Sequence, residues 1–348
     1  MSKKKLLYIV NPISGNGKKA NIICDIEKYT DTNTFDFEIK KTEYAGHAAE
    51  IAKAAAEIGI EAIVAVGGDG TINEVARSIV GTPSALGIIP CGSGNGLARH
   101  LQIPMNSVNA IKIINQNVVH CLDYGLINNH PFFCTCGVGF DAVISKRFAE
   151  SGRRGPITYI ENVLRESLSY KPEIYTIEDL SPTSSDNQPH KYQAFLIACA
   201  NASQYGNNAY IAPQASMKDG LMDIIIIEPF SALEAPQIAV QLFNKSLLKH
   251  SHIKMFQLYH IRISRTSEGA AHCDGDPLSM SNTIDVELVP QQFNIIVNPE
   301  AHTPKKKLFQ LLMEDVDEWW VSQQRVLRKQ QVGIKRLNRN ILNKLKKL

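Results

Sequence analysis

The sequence predicts an α/β N-terminal domain built on a parallel sheet, followed by a β-rich second domain of antiparallel, sandwich-like character. Three observations carry that prediction. Between residues 6 and 123, short apolar runs of strand length alternate with stretches of helical spacing, the pattern of a parallel sheet covered by helices. Three of those runs end in glycine-rich loops of like composition. Beyond Asp123 the apolar runs crowd together, separated by turn residues such as Asn128-Asn129, the texture of a meander rather than of crossover units.

In chain order, residues 6–10 read as a strand that runs into Asn11-Pro12-Ile13-Ser14-Gly15-Asn16-Gly17-Lys18, with a helix from about Lys18. Residues 35–39 form a second strand and 48–58 a helix, joined through Lys41-Thr42-Glu43-Tyr44-Ala45-Gly46-His47. The central unit is 61–81. There an apolar strand stops at Gly67-Gly68-Asp69-Gly70-Thr71, and Ile72, Val75, Ala76, Ile79 and Val80 then fall at helical spacing until Gly81 and Pro83 end the helix. A strand over 85–89 leads into Pro90-Cys91-Gly92-Ser93-Gly94-Asn95-Gly96.

A turn with so little side-chain bulk lets a phosphate approach backbone N–H groups at a helix N-terminus, where the dipole already favours negative charge. Asp69 would repel a bare phosphate, so it suits a magnesium ion that bridges the phosphates of a nucleotide. Such a turn also serves simply to let a helix pack on a sheet, and one alone does not decide between the two uses. Three converging at the carboxyl edge of one sheet point to a ligand.

In the second half, strands are expected at 125–127, 131–136, 194–200, 221–227, 259–264, 283–288 and 293–297. Gly137-Val138-Gly139-Phe140-Asp141-Ala142 is followed by a helix over 156–168, and residues 181–189 form a surface loop. This divides the chain into 1–124, 125–298, whose last strand is free to return to the first domain, and a tail over 304–348. No internal repeat is evident.

At 348 residues, with 44% hydrophobic and 20% charged residues, the chain has room for two ordinary globular domains. No run approaches the ~18 apolar residues of a membrane span, and Met1-Ser2-Lys3-Lys4-Lys5 leads straight into a strand instead of a signal peptide. The seven cysteines include no Cys-x-x-Cys pair, which argues for reduced thiols in a cytoplasm and against zinc.

Taken together, Gly67-Gly68-Asp69-Gly70-Thr71 with Asn73-Glu74, the Asn11-Pro12 and Ser14-Gly15 loop, and Gly92-Ser93-Gly94-Asn95 resemble the catalytic domain of the diacylglycerol kinase and sphingosine kinase superfamily. The likeness runs from residue 5 to about 298, in the layout of the bacterial soluble lipid kinases. It implies a diacylglycerol kinase or NAD kinase-like first domain, ATP and Mg²⁺ as cofactors, and a lipid as acceptor. Nucleotide contacts are then expected from Asn11, Ser14, Gly15, Thr42, Gly67, Gly68, Asp69, Gly70, Thr71, Asn73, Glu74, Gly92, Ser93 and Asn95. His47 and Arg99 are further candidates to meet phosphate, His47 against a structural role at its helix start.

The same resemblance assigns catalytic roles to Asp69, Asp123 and Asp276. In His272-Cys273-Asp274-Gly275-Asp276 the family's Asp-Gly-Glu turn has its glutamate base replaced by Asp276, one methylene shorter. The competing reading is a plain hairpin turn. A family magnesium loop maps to Ser216-Met217-Lys218-Asp219-Gly220-Leu221, with Asp219 as side-chain ligand and Ser216 and Leu221 as carbonyl donors, against an ordinary Asp-Gly turn. The chain departs from the diacylglycerol-type members at Gly96, where they carry an aspartate, and there looks more like the sphingosine kinases.

After Pro304 the pattern is left behind. Residues 321–348 hold nine Lys or Arg and no acid, which against an overall +3 leaves −6 for residues 1–320. Leu327, Ile334, Ile341 and Leu348 recur every seven residues, widened by Leu337 and Leu345. A basic amphipathic helix suits an anionic membrane surface; the same heptads permit a coiled coil, and with it a homodimer.

The expectation is thus a cytoplasmic lipid kinase, peripheral at the inner face of the membrane, that moves the γ-phosphoryl of ATP to diacylglycerol. A sphingoid base is the alternative acceptor. NAD kinase and a non-enzymatic nucleotide sensor that docks on membranes are the alternatives of other classes. Nucleic acid is not an expected partner.

Overall fold

A computed structural model of the chain describes residues 3–13, 19–151, 170–181 and 188–301. The first half builds β1 (Lys4–Val10), α1 (Lys19–Tyr29), β2 (Phe35–Lys41), α2 (His47–Glu57), β3 (Ala62–Gly67), α3 (Asp69–Ile79), β4 (Ala85–Pro90), the short α4 (Gly96–His100) and α5 (Ser107–Gln116). β2, β1, β3 and β4 lie side by side in that order, all parallel. Right-handed crossovers then put α1 on one face and α2 and α3 on the other, and α2 indeed packs on α3 while α5 joins α1. Helices on both faces explain why every residue of β3 and β4 is buried and why the two strands read as continuous apolar runs.

The chain reverses direction across the sheet between β1 and β3. The loops after β1, β3 and β4 therefore open at neighbouring carboxyl ends, the crevice where such sheets take ligands. Asn11 closes that edge, its N–H bonding to the Val66 carbonyl and its Nδ2 donating to Thr71 Oγ1 at 2.9 Å.

The second half adds β5 (Val119–Ile127), β6 (His130–Phe132), β7 (Thr135–Gly139), α6 (Phe140–Ser151), β8 (Glu173–Asp179), β9 (His190–Ala194), β10 (Leu196–Ala200), β11 (Met222–Ile227) and α7 (Ala235–Asn244). It ends with β12 (Ile253–Leu258), β13 (His260–Ser264), β14 (Gly269–Cys273), β15 (Asp276–Met280) and β16 (Thr283–Ile296). β12-β11-β10-β7-β14-β15 form a separate antiparallel sheet. The remaining strands do not stand apart from the first domain. β16 pairs with β13 and β5 and, through Ile295 and Leu86, in parallel with β4, so the first sheet runs on as a mixed sheet into the second half.

The two sheets face each other across Cys136, Val138, Ile224, Ile226, Ile263 and Val286, among others. The opposite face of the second sheet packs Ala198, Ile225 and Ile227 with Phe140, Phe195 and Ile238. That double burial accounts for the unbroken Ile224–Ile227 run. Strands expected whole at 131–136 and 194–200 each break in two; at Phe195 the carbonyl turns to accept from Phe140 and the N–H donates to Ile227. The helix expected at 156–168, most of the 181–189 loop, residues 14–18 and the basic tail lie outside the described residues.

Candidate active site

The two glycine loops after β3 and β4 are built against each other. A Cβ on Gly92 would stand 2.8 Å from the Gly68 Cα, and one on Gly94 would stand 2.7 Å from Asp69 Oδ2, closer than a side chain permits. Asp69 sits in the first turn of α3 and accepts the backbone N–H of Asn95 at Oδ2 (2.8 Å) and of Gly96 at Oδ1 (2.7 Å). Asn95, left-handed at φ 51°, closes its own loop by bonding both the N–H and the carbonyl of Gly92. Gly96, at the place of the family's aspartate, lies 3.4 Å by its virtual Cβ from the backbone of Tyr205 and Gly206.

Gly70 differs from these glycines. Among the described residues an added Cβ there would meet nothing within 4 Å, so their packing does not require a glycine, and they leave the N-terminal turn of α3 bare. Thr71 and Asn73 are buried beside it, and among the described residues the Asn73 Nδ2 has no hydrogen-bond partner. Thr42 is buried at the end of β2, its N–H donating to the Val10 carbonyl. Glu74 is half-buried and Ser93 exposed. Ser14 and Gly15 fall outside the described residues.

Two candidates for meeting phosphate already make contacts within the chain. Arg99 donates from Nε to the Gly94 carbonyl and from Nη1 to Asn208 Oδ1, so its charge ties the second loop to the 203–208 segment. His47 accepts the Glu43 N–H at Nδ1 and stacks on Tyr44 with centroids 4.5 Å apart, a structural use of the helix start.

Asp123 is 1% exposed. Its Oδ2 accepts the Gly220 N–H and its Oδ1 the Gln291 N–H, both at 2.9 Å, while its own N–H donates to the Met217 carbonyl. In this arrangement it fastens the 216–221 loop and the bend of β16, where the register shifts between Val289 and Phe293. Within that loop Asp219 is exposed and accepts the Leu221 N–H at Oδ1, and the Ser216 hydroxyl accepts the Lys218 N–H. No group of three or more His, Cys, Asp or Glu side chains converges on one point among the described residues. Any magnesium here would rest on isolated carboxylates, carbonyls, water and substrate oxygens, which is an acceptable set for that ion.

Asp274 and Gly275, at φ 51° and 85°, form the two-residue turn between β14 and β15, a hairpin of the type that Asp-Gly favours. Asp274 accepts the N–H groups of Phe133, Cys134 and Thr135. Burial pushes its carboxyl up, against the pull of those N–H groups and Arg77. Asp276 Oδ2 pairs at 3.0 Å with Nη1 of Arg77 on α3. Asp69 and Arg77 are eight residues apart on that helix, about 12 Å along its axis, and the three acids Asp69, Asp123 and Asp276 hold three separate places.

Sequence reasoning named Asp274 only as part of its turn, and it passed over Arg77 and a buried cluster in which Asp141 Oδ2 accepts from Tyr205 Oη at 3.1 Å and bonds His272 Nε2 at 3.0 Å. The Gly137-x-Gly139-Phe140-Asp141 motif was the signal for the last of these. A Cβ on Gly137 would stand 2.7 Å from Asp141 Oδ2 and 3.1 Å from His272 Nε2.

Residues 5–127 match the family described as the diacylglycerol kinase catalytic domain, and residues 134–297 match the YegS C-terminal NAD kinase beta sandwich-like domain. The chain belongs to the diacylglycerol kinase and YegS family of lipid kinases. Among its relatives, a Chromohalobacter salexigens protein named "Probable lipid kinase YegS-like" is 30% identical over 213 residues, 59% of this chain and 67% of that one. The diacylglycerol kinase of Bacillus subtilis is 24% identical, across 89% of this lipid kinase and 99% of its own length. A crystal structure titled as a diacylglycerol kinase from Bacillus anthracis superposes with a TM-score of 0.68 at 23% identity, covering 86% of this kinase and 98% of that chain, and shares its fold. As a lipid kinase the protein is a phosphotransferase that uses ATP, which displaces the NAD kinase and non-enzymatic readings. Among the described residues no helix is long and apolar enough to cross a membrane.

Proposed function

We propose that this lipid kinase phosphorylates the free hydroxyl of diacylglycerol to give phosphatidic acid. The observation that carries the nucleotide half of this reading is the first turn of α3 at Gly70, which the described residues leave bare, flanked by a second glycine loop that Asp69 holds in place. Backbone N–H groups of that turn and the hydroxyl of Thr71 receive the phosphates of ATP, as Asn11 steadies Thr71 from the neighbouring strand. A carboxylate offers about four lone-pair sites. Asp69 gives two to the loop, so it retains acceptors for a magnesium ion, which would neutralise charge on the transferring phosphoryl group. Asp219, with one oxygen bonded to Leu221 N–H, and the carbonyls of Ser216 and Leu221 are the proposed ligands of a second, structural magnesium.

Asp276 accepts the proton of the lipid hydroxyl as the new oxygen–phosphorus bond forms and the bond to the bridging oxygen of ADP breaks. A base of this kind contributes on the order of 10²–10⁴-fold. Asp123, buried with each oxygen accepting a backbone N–H, supports the site by fixing its loops. The basic tail is proposed to bring the enzyme to the inner face of the membrane, and removal of residues 304–348 should then abolish binding to anionic vesicles; a fall in oligomer size with vesicle binding intact would assign the tail to a coiled-coil homodimer instead.

The deciding experiment is transfer of labelled γ-phosphate from ATP and magnesium with diacylglycerol and sphingosine supplied separately. Labelled phosphatidic acid supports the proposal. A labelled sphingoid base, the outcome that Gly96 favours, would replace it.

A further inference from the structure

Arg77 lies in the last turn of α3, on the helix whose first turn carries Asp69. Its guanidinium reaches across to the second half of the chain. Nε donates to the Pro131 carbonyl on β6 at 3.1 Å, Nη1 to Asp276 Oδ2 at 3.0 Å, and Nη2 to the Cys273 carbonyl at 3.3 Å, with the Cys273 sulfur at 3.5 Å. Its side chain is 29% exposed and that of Asp276 50%. An isolated ion pair at such exposure contributes little to stability, so a guanidinium that spreads its donors over one carboxylate oxygen and two carbonyls invites a different account. Its planar fork fixes direction as well as charge.

Asp276 opens β15 directly after the Asp274-Gly275 turn, and its carboxylate would otherwise swing freely at a half-exposed strand end. Arg77 occupies Oδ2 alone. The bond leaves Oδ1 on the other side of the carboxylate. The strand that ends in the turn is held by its Cys273 carbonyl at the same time, so the guanidinium sets the position of the backbone and the rotation of the side chain together.

We infer that Arg77 is a positioning residue of the phosphotransfer site: it holds the Asp274–Asp276 turn against α3 by its carbonyl and by Asp276 Oδ2, and so presents Oδ1 to the acceptor hydroxyl. The inference rests on the proposed role of Asp276 as the proton acceptor. It adds that the helix that begins at the nucleotide loop also sets the base, so both substrates are registered to one rigid element. The shorter acid in place of the family's glutamate makes such support the more necessary, because a carboxylate withdrawn by one methylene has less reach with which to correct a misplaced turn.

The test is a double-mutant cycle on turnover of diacylglycerol, with Arg77→Gln and Asp276→Asn singly and together. Arg77→Gln is expected to lower kcat ten- to a hundredfold with the KM for ATP unchanged, and Arg77→Lys to recover part of the loss. In the Asp276→Asn background the Arg77→Gln change should cost less than threefold more, since a residue that acts through the base has nothing left to act on. An equal loss in both backgrounds would mean that Arg77 is only a brace between the halves of the fold, and the inference would be wrong. Near-normal turnover by Asp276→Asn would refute the base itself, and the inference with it. Were no lipid phosphorylated at all, the same four proteins compared in urea unfolding still decide whether the pair exists: non-additive midpoints sustain the clamp, and additive ones remove it.

Discussion

Asp69 closes on Asn95: the carboxylate of the first glycine turn accepts the backbone N–H of the second loop at 2.8 Å, and its other oxygen takes the next N–H, that of Gly96, at 2.7 Å. Hydrogen bonds to a charged acceptor are worth about 1.5–3 kcal/mol each. In Asp69→Asn one of the two oxygens becomes an amide nitrogen that faces an N–H donor, so at least one of the bonds is lost. The variant should unfold at a temperature several degrees lower, and its ATP affinity should fall even in the absence of magnesium, because the loop geometry is disturbed apart from any metal. Calorimetry and nucleotide titration with and without magnesium measure both; loss of affinity only when magnesium is present would confine Asp69 to the ion.

Gly70 and Gly94 separate the two reasons for a glycine. Gly94→Ala drives a methyl to within 2.7 Å of Asp69 Oδ2, an overpacking of the order of 1–3 kcal/mol, and should lower the melting temperature. Gly70→Ala adds a methyl where no described residue stands within 4 Å and gains helix propensity of about 1 kcal/mol. It should therefore melt no lower than the parent while its KM for ATP rises tenfold or more. An unchanged KM would mean that phosphate does not approach that turn.

Much of this was legible in the sequence because periodicity reports burial on one element at a time. β1 to β4 and α2 and α3 show the two patterns cleanly, and the three glycine loops announced their common edge. The return of the last strand to the first domain was open in the sequence reading, but its partner was not legible, since β16 meets β4 through Ile295 and Leu86, which are 209 positions apart in the chain. For the same reason Arg77 read as an ordinary polar residue in the last turn of a helix. Its partners Pro131, Cys273 and Asp276 come from two distant hairpins, and no local spacing joins them. Arg99 shows the converse. Its sign and neighbourhood suited a phosphate, and only the fold reveals that Gly94 and Asn208 already engage two of its five donors.

His100 predicts a pH dependence. Its Nδ1 lies 3.1 Å from the Ser203 backbone N–H, which can only donate to it, and 3.0 Å from the Ser203 hydroxyl, so the ring must keep Nδ1 unprotonated. Burial pushes its pKa down from 6.5 to about 4. In the unfolded chain the ring binds a proton as the pH falls through 6.5, while in the folded chain it does not until about pH 4, so the folded state loses stability across that window, up to about 3 kcal/mol in all. Above pH 6.5 the contribution is fully present. Melting temperatures taken from pH 7.5 to 4.5 should fall less steeply for His100→Asn, whose amide oxygen can still accept from Ser203, than for the parent. Parallel curves would show that the contact does not respond to protonation.

Asp123 offers a last test, because its two bonds join places far apart in sequence. With both oxygens buried against the N–H groups of Gly220 and Gln291, Asp123→Ala strands two donors and opens a cavity. A cost of about 2–6 kcal/mol is expected from the two unpaired groups alone, at about 1–3 kcal/mol each. The damage should be local in one respect: backbone amides of the 216–221 loop and of the β16 bend should exchange with solvent together and faster than those of β3 or β11, although the loop and the bend share no strand. Magnesium added to the parent should slow exchange in the loop if Asp219 binds it, and should do so less in Asp123→Ala, whose loop is no longer held from below. Exchange that quickens in the loop while the bend stays protected would break the link between them, and would leave Asp123 with the lesser task of capping one turn.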